Sequence, residues 1–69
     1  MIEFIPKKID CIAYTDTHIG SYQVRKGDAI TLIERGDGLW NVEINGSRIS
    51  FAIDGTFVND LTAEKMVEV

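Results

Sequence analysis

The residues that could do chemistry are few and scattered. His18 is the only histidine, and Asp16 and Thr17 precede it in a polar stretch. An imidazole beside a carboxylate can serve as a general base. That role needs a nucleophile and a third group to orient the ring, and the surrounding sequence offers neither. His18 therefore reads as an exposed loop residue. Cys11 is the only cysteine and alternates with Ile9 and Ala13. One cysteine closes no intramolecular disulfide and cages no zinc. A reactive thiol needs an accessible, electropositive setting. Lys7 and Lys8 are near in sequence but are expected to face solvent, so Cys11 reads as a small apolar core residue.

The remaining candidates reduce to turns and solvated charge. Asp10, Asp16, Asp28, Asp37 and Asp54 lack the spacing of a calcium loop. Asp28 is expected to cap the Lys26-Gly27-Asp28 turn, because aspartate bonds readily to nearby backbone amides. Gly36 and Gly38 resemble a phosphate loop only superficially, since no Gly-Lys-Ser/Thr ending follows. Arg35-Gly36-Asp37 reads as a hairpin turn and not as an adhesion motif. No catalytic or metal-binding constellation emerges, so the chain reads as a protein that is not an enzyme and needs no cofactor.

The elements that must carry these residues are bounded by size. The chain has 69 residues, enough for one domain spanning 1–69. A domain this small buries only about 60% of its unfolded surface. Hydrophobic residues are 45% and charged residues 26%, a globular balance. The apolar set is rich in Ile and Val, which suit pleated sheets. Eleven acids oppose seven bases, for a net charge of −4, with the signs interspersed. Nucleic-acid binders usually show a basic stripe instead. No apolar run approaches the roughly 20 residues of a membrane span. Met1-Ile2-Glu3-Phe4 lacks the pattern of a signal peptide. With the lone thiol, this leads us to expect a reducing, cytoplasmic setting.

Glycines at 20, 27, 36, 38, 46 and 55 punctuate the chain at the spacing of short strands. Ile2 to Pro6 is an edge strand at most, because Pro6 lacks a donor. Ile9 to Tyr14 reads as the first firm strand and Thr15 to Ser21 as a loop. Tyr22 and Val24 alternate with polar neighbours. Ala29 to Glu34 is the second firm strand. Leu39 to Ile44 is the third, with Trp40, Val42 and Ile44 on one face. Asn45-Gly46 marks a tight hairpin, since a type I′ turn needs positive φ at both positions. Arg48 to Ile53 is the return strand. A 3₁₀ turn is expected near 55–61, with Phe57 and Val58 buried. Thr62 is expected to cap a helical turn, and Met66 to Val69 to form a last short strand. The fold class is all-β: a small barrel of five or six strands.

This order resembles the Src-homology-3 (SH3) domain over about residues 9–69. Val24-Arg25-Lys26-Gly27-Asp28-Ala29-Ile30-Thr31-Leu32-Ile33 is similar to the family's Φ-x-Lys-Gly-Asp-x-Φ-x-Φ-Φ stretch, where Φ is apolar. Trp40-Asn41-Val42-Glu43-Ile44 resembles its Trp-x-Val-x-Φ strand. Phe57-Val58 sits where the family carries Tyr-Val. The resemblance implies a divergent, prokaryotic or phage-type member. It also implies a degenerate peptide groove. Leu39 stands where the family has the first of two tryptophans, and Trp40 matches the second. The groove's proline, near Ile53 or Asp54, is missing, and Phe57 lacks the tyrosine hydroxyl. The early Ala-Leu-Tyr-Asp-Tyr motif survives loosely as Ile12-Ala13-Tyr14-Thr15-Asp16.

The expected activity is that of a non-catalytic protein-interaction module. The candidate partner-binding residues are Tyr14, Tyr22, Leu39, Trp40 and Phe57, because aromatics bury large area at low entropy cost. The partner is another protein or a second copy of the chain. Two alternatives stand beside this. A nucleic-acid- or ribosome-associated barrel would use Tyr22 with Arg25 and Lys26. A self-associating protein would pair its edges near Ile2 to Ile5 and Met66 to Val69.

Overall fold

Period-2 alternation of apolar side chains sets the architecture. The computed structural model describes residues 3–69. Strand β1 (Lys8–Ala13) buries Cys11 and Ala13 and turns Asp10 and Ile12 outward. Strands β2 (Thr17–Ile19) and β3 (Tyr22–Val24) form a separate two-stranded hairpin. Strands β4 (Ala29–Glu34) and β5 (Leu39–Ile44) bury Ile30, Leu32 and Val42 almost completely. Short strands β6 (Ser47–Arg48) and β7 (Ile53–Asp54) both pair with β5. Helix α1 (Gly55–Glu64) follows, and β8 (Met66–Glu68) closes the described chain beside β1.

The main sheet runs β6-β5-β4-β1-β8, with β7 on the same edge of β5 as β6. All its pairings are antiparallel. The all-β expectation holds, with one helix added. The sheet does not close on itself, because β6 and β8 are not paired to each other. Twelve apolar side chains make one core that joins sheet, hairpin and helix: Ile19 and Val24 come from the hairpin, Val58 and Leu61 from α1, Met66 from β8. Cys11 belongs to it at 2% exposure. Burial first, and then the carboxylates of Glu68 and Asp10, push its thiol above the ordinary range. That is the opposite of an activated nucleophile.

Several expectations are corrected. Residues 3–7 form no strand, and Ile2, the first residue of the proposed Ile2–Pro6 edge, lies outside the described residues. The stretch Thr15 to Ser21 is not all loop, because Thr17, His18 and Ile19 pair with Val24, Gln23 and Tyr22. His18 is thus an exposed strand residue. The strand expected over Arg48–Ile53 is broken. Ser47 and Arg48 pair in register with Ile44 and Glu43, while Ile53 and Asp54 pair with Trp40 and Leu39. Ile49 N–H donates to Val42 O at 3.0 Å. The only β5 residue between Val42 and Trp40 is Asn41, and it faces Ser50, Phe51 and Ala52. This is a bulge, where the longer strand bows away from its partner.

The 3₁₀ turn is also replaced. Asp54 accepts the N–H of Phe57 at 2.8 Å and so caps a full ten-residue helix. Such a cap satisfies a donor that the helix itself cannot. Val58 and Leu61, three apart, face the core, while Phe57 stays 36% exposed. Thr62 does not start a helix. Its hydroxyl donates back to Val58 O at 3.0 Å and Asn59 O at 3.2 Å inside α1. The inward trio of β5 is led by Val42, fully buried, with Trp40 and Ile44 half-buried against the core.

Two turns are tied together by one carboxylate. Asn45 adopts φ of 51° and Gly46 of 85°, the positive pair that the β5–β6 hairpin demands. Asn45 also accepts Ala29 N–H through Oδ1 at 2.9 Å and donates through Nδ2 to Asp28 Oδ1 at 3.2 Å. Asp28 Oδ2 accepts Arg25 N–H at 2.8 Å. The bond from the Arg25 amide first, and then that from Asn45, hold the Asp28 carboxyl below its usual range. A depressed folded pKa adds stability above the unfolded value, about 4, and loses it as pH falls through the folded value. The Asp28→Ala variant is therefore expected to melt below the wild type at neutral pH. The gap between the two melting temperatures should close as the pH drops below about 4. A gap that is constant with pH would remove Asp28 from this role.

Candidate binding groove

The bulge builds a surface depression that gathers large apolar side chains. It is a groove of about 310 Å³ lined by Gly20, Leu39, Phe51, Ala52, Ile53, Asp54 and Phe57. Each wall comes from a different element. Leu39 opens β5, Phe51 and Ala52 come from the bulge, Ile53 and Asp54 are β7, Phe57 lies in the first turn of α1, and Gly20 is the tip of the β2–β3 hairpin. Phe51 and Phe57 are each 36% exposed. The only charged side chain in the lining is Asp54, and its Oδ1 is already used to cap α1.

Three contacts seat the hairpin against the bulge. Tyr22 Oη and Ser50 Oγ are hydrogen-bonded at 3.0 Å, and Ser50 N–H donates to Tyr22 Oη at 3.4 Å. The Tyr22 and Phe51 rings lie 5.7 Å apart, tilted by 45°. That geometry is favourable for aromatic pairs. The Tyr22 hydroxyl is held below its usual pKa, chiefly by the Ser50 side chain and then by the Ser50 amide. Gly20 has φ of +60°, and a Cβ there would overlap the Phe51 ring. Glycine is needed both for the backbone conformation and for the space. At the hairpin base, Lys26 N–H donates to Asp16 Oδ1 at 2.8 Å. Asp16 is therefore a turn clamp for the Arg25–Asp28 segment.

The five candidate binding residues are divided by this arrangement. Leu39 and Phe57 line the groove. Tyr22 stands behind it, half-buried, holding Phe51. Trp40 is packed half-buried against the core, paired with Ile53, and does not line the groove. Tyr14 is 44% exposed at the end of β1, and its N–H donates to Lys65 O, away from the groove lining. Phe51, Gly20 and Ala52 were not foreseen. Strict alternation with Ile49 and Ile53 would turn Phe51 inward. The bulge carries it out instead, and because the two extra residues are an even number, the parity of its neighbours hides the break.

No protein-family model matches this chain, and neither a curated protein nor a solved structure shows significant similarity to it.

The Gly20–Phe51 contact is testable by a double-mutant cycle. Gly20→Ala alone is expected to destabilise by more than about 1 kcal/mol, from left-handed backbone strain and the ring overlap. In a Phe51→Ala background the overlap is gone, so the same change should cost measurably less by chemical denaturation. Equal costs in both backgrounds would mean that the ring does not sit on Gly20.

Proposed function

We propose that this chain is a small, non-catalytic interaction module of the SH3-like type, which takes a short apolar segment of a partner protein in the groove between Leu39, Phe51 and Phe57. The observation that carries the proposal is the convergence of these three side chains from three different elements onto one open groove. Leu39 stands on β5 and Phe57 on α1, and the Phe51 ring is braced by Tyr22, which lowers the side-chain freedom to be lost on binding. The order of elements supports the SH3-like reading: a first strand, a short separate hairpin, a two-hairpin meander over β4, β5 and β6, a helical segment and a last strand returning to the first.

The lining explains why a polyproline ligand would be held poorly. Proline-rich helices are recognised between stacked aromatic ridges. Here Leu39 and Ile53 replace aromatic and proline surfaces, and Phe57 offers no hydroxyl. An aliphatic or aromatic side chain presented on an extended backbone suits such walls better. The lining carries no cation, which favours a protein partner over nucleic acid. Its one carboxylate is occupied as a helix cap, which favours binding over catalysis. The buried, unactivated Cys11 suits a reducing compartment, and we assign the cytoplasm on that basis.

The test compares wild type with Leu39→Ala and Phe57→Ala. Both side chains are partly exposed, so both variants should keep the wild-type circular dichroism spectrum and melt within a few degrees of it. Proteins captured by the wild type from its own cells should be depleted at least about tenfold on both variants, the loss expected from about 1.4 kcal/mol. Partners retained equally by both folded variants would show that the groove is not the binding face.

A further inference from the structure

The groove has a matching segment within the chain itself. Residues Glu3–Lys7 are exposed and form no strand. Ile5 is 79% exposed and Phe4 50%. Pro6 follows them, so the residue before it is held extended and the proline asks for no backbone donor partner. Two basic residues, Lys7 and Lys8, come next. The arm is thus an exposed apolar pair, its second residue held extended by Pro6, followed by positive charge. The groove is an apolar trough whose only lining charge is the carboxylate of Asp54. Both are apolar, and the charges that flank them are opposite in sign.

The arm does not fill the groove of its own molecule. It is fixed at its base, where Glu34 N–H donates to Lys7 O at 2.8 Å. Beyond that point the Phe4 ring lies against Gly36, in the turn between β4 and β5. Neither Phe4 nor Ile5 lines the groove, and Gly36 is not part of its lining either. Phe4 lies three residues out from Lys7, so it can stand at most about 11 Å from that anchor when the arm is extended.

Resting on the groove assignment above, we propose that its partner is a second copy of this chain, whose Phe4-Ile5-Pro6 arm docks between Leu39, Phe51 and Phe57, with Lys7 beside Asp54. Reciprocal exchange of arms closes a two-fold dimer, since each molecule carries both halves of the contact. Ile5 then leaves water, and Phe57 and Phe51 lose their exposed faces. The docked arm supplies what the degenerate groove lacks, an apolar side chain on an extended backbone that needs no polyproline ridge.

The experiment uses the full chain in sedimentation velocity, with amide NMR spectra on the same samples. The wild type is expected to shift from the monomer mass toward twice that mass as concentration rises, with the resonances of Ile5, Leu39, Phe51 and Phe57 moving together. Ile5→Asp puts a charge into the arm's apolar pair and Phe57→Asp spoils the groove. Each variant alone should stay monomeric, and an equimolar mixture of the two should regain association, because one brings an intact groove and the other an intact arm. Ile5→Ser and Leu39→Ser serve the same comparison should either aspartate variant lose its native spectrum. A wild type that remains monomeric at high concentration overturns the proposal, and so does a dimer that persists in Ile5→Asp. If the chain is monomeric while capture of other proteins still depends on Leu39 and Phe57, the second copy is excluded and the interaction reading stands without it.

Discussion

One edge of β5 has to satisfy the backbones of two separate strands, and most of the molecule follows from how it does so. Glu43 and Ile44 pair with β6, while Leu39 and Trp40 pair with β7. The residues between, Ser50 to Ala52, outnumber their partner and bow outward. A buried sheet strongly resists a shift of register by one residue, because that turns every side chain over. A shift of two keeps Ile49 and Ile53 both inward, each 7% exposed, and leaves the core intact. The cost is confined to the bulge. The consequence is Phe51, lifted from the core face and turned toward the hairpin tip.

The hairpin of β2 and β3 shares no ladder with the main sheet. It is held by side chains. Ile19 and Val24 sink fully into the core, Tyr22 binds Ser50 on the bulge, and Asp16 holds the backbone of Lys26. The groove therefore has walls that meet through a few contacts rather than through a continuous sheet. Small domains have little stability to spare. A change at Gly20, Tyr22 or Phe51 acts on both the fold margin and the shape of the groove. Asp54 links the same regions from the other side, ending β7 and starting α1 in one residue.

How much of this was legible in the sequence can be judged residue by residue. The alternation of Ile30, Leu32 and Val42 gave the central strands, because nothing opposes a period of two there. Asn45-Gly46 gave the hairpin, since few other pairs tolerate two positive φ values. Asp28 was read as a turn cap, and its further bond to Asn45 needed the two turns to meet in space. The helix was missed because Asp54-Gly55-Thr56 reads locally as a turn, although Asp54 is also a good N-cap. Thr62 misled, since a threonine can cap a helix or bond back within one. Leu39 and Phe57 were singled out, and they meet in the groove. Phe51 was not, because an even-numbered insertion leaves no trace in the parity of the flanking residues. Tyr14 and Trp40 are candidates by aromatic type alone, and aromatic type does not say which way a side chain points.

The shared edge of β5 can be tested by the cross-strand Hα and amide contacts of residues 39–54 in solution NMR. The account predicts that Trp40 faces Ile53 and Glu43 faces Arg48, that the Ile49 amide is protected from exchange through Val42, and that the Phe51 amide exchanges freely. A regular strand would place Trp40 opposite Phe51 and protect alternate amides from Ser47 through Asp54. Observation of that pairing would contradict the bulge, and with it the groove that the bulge creates.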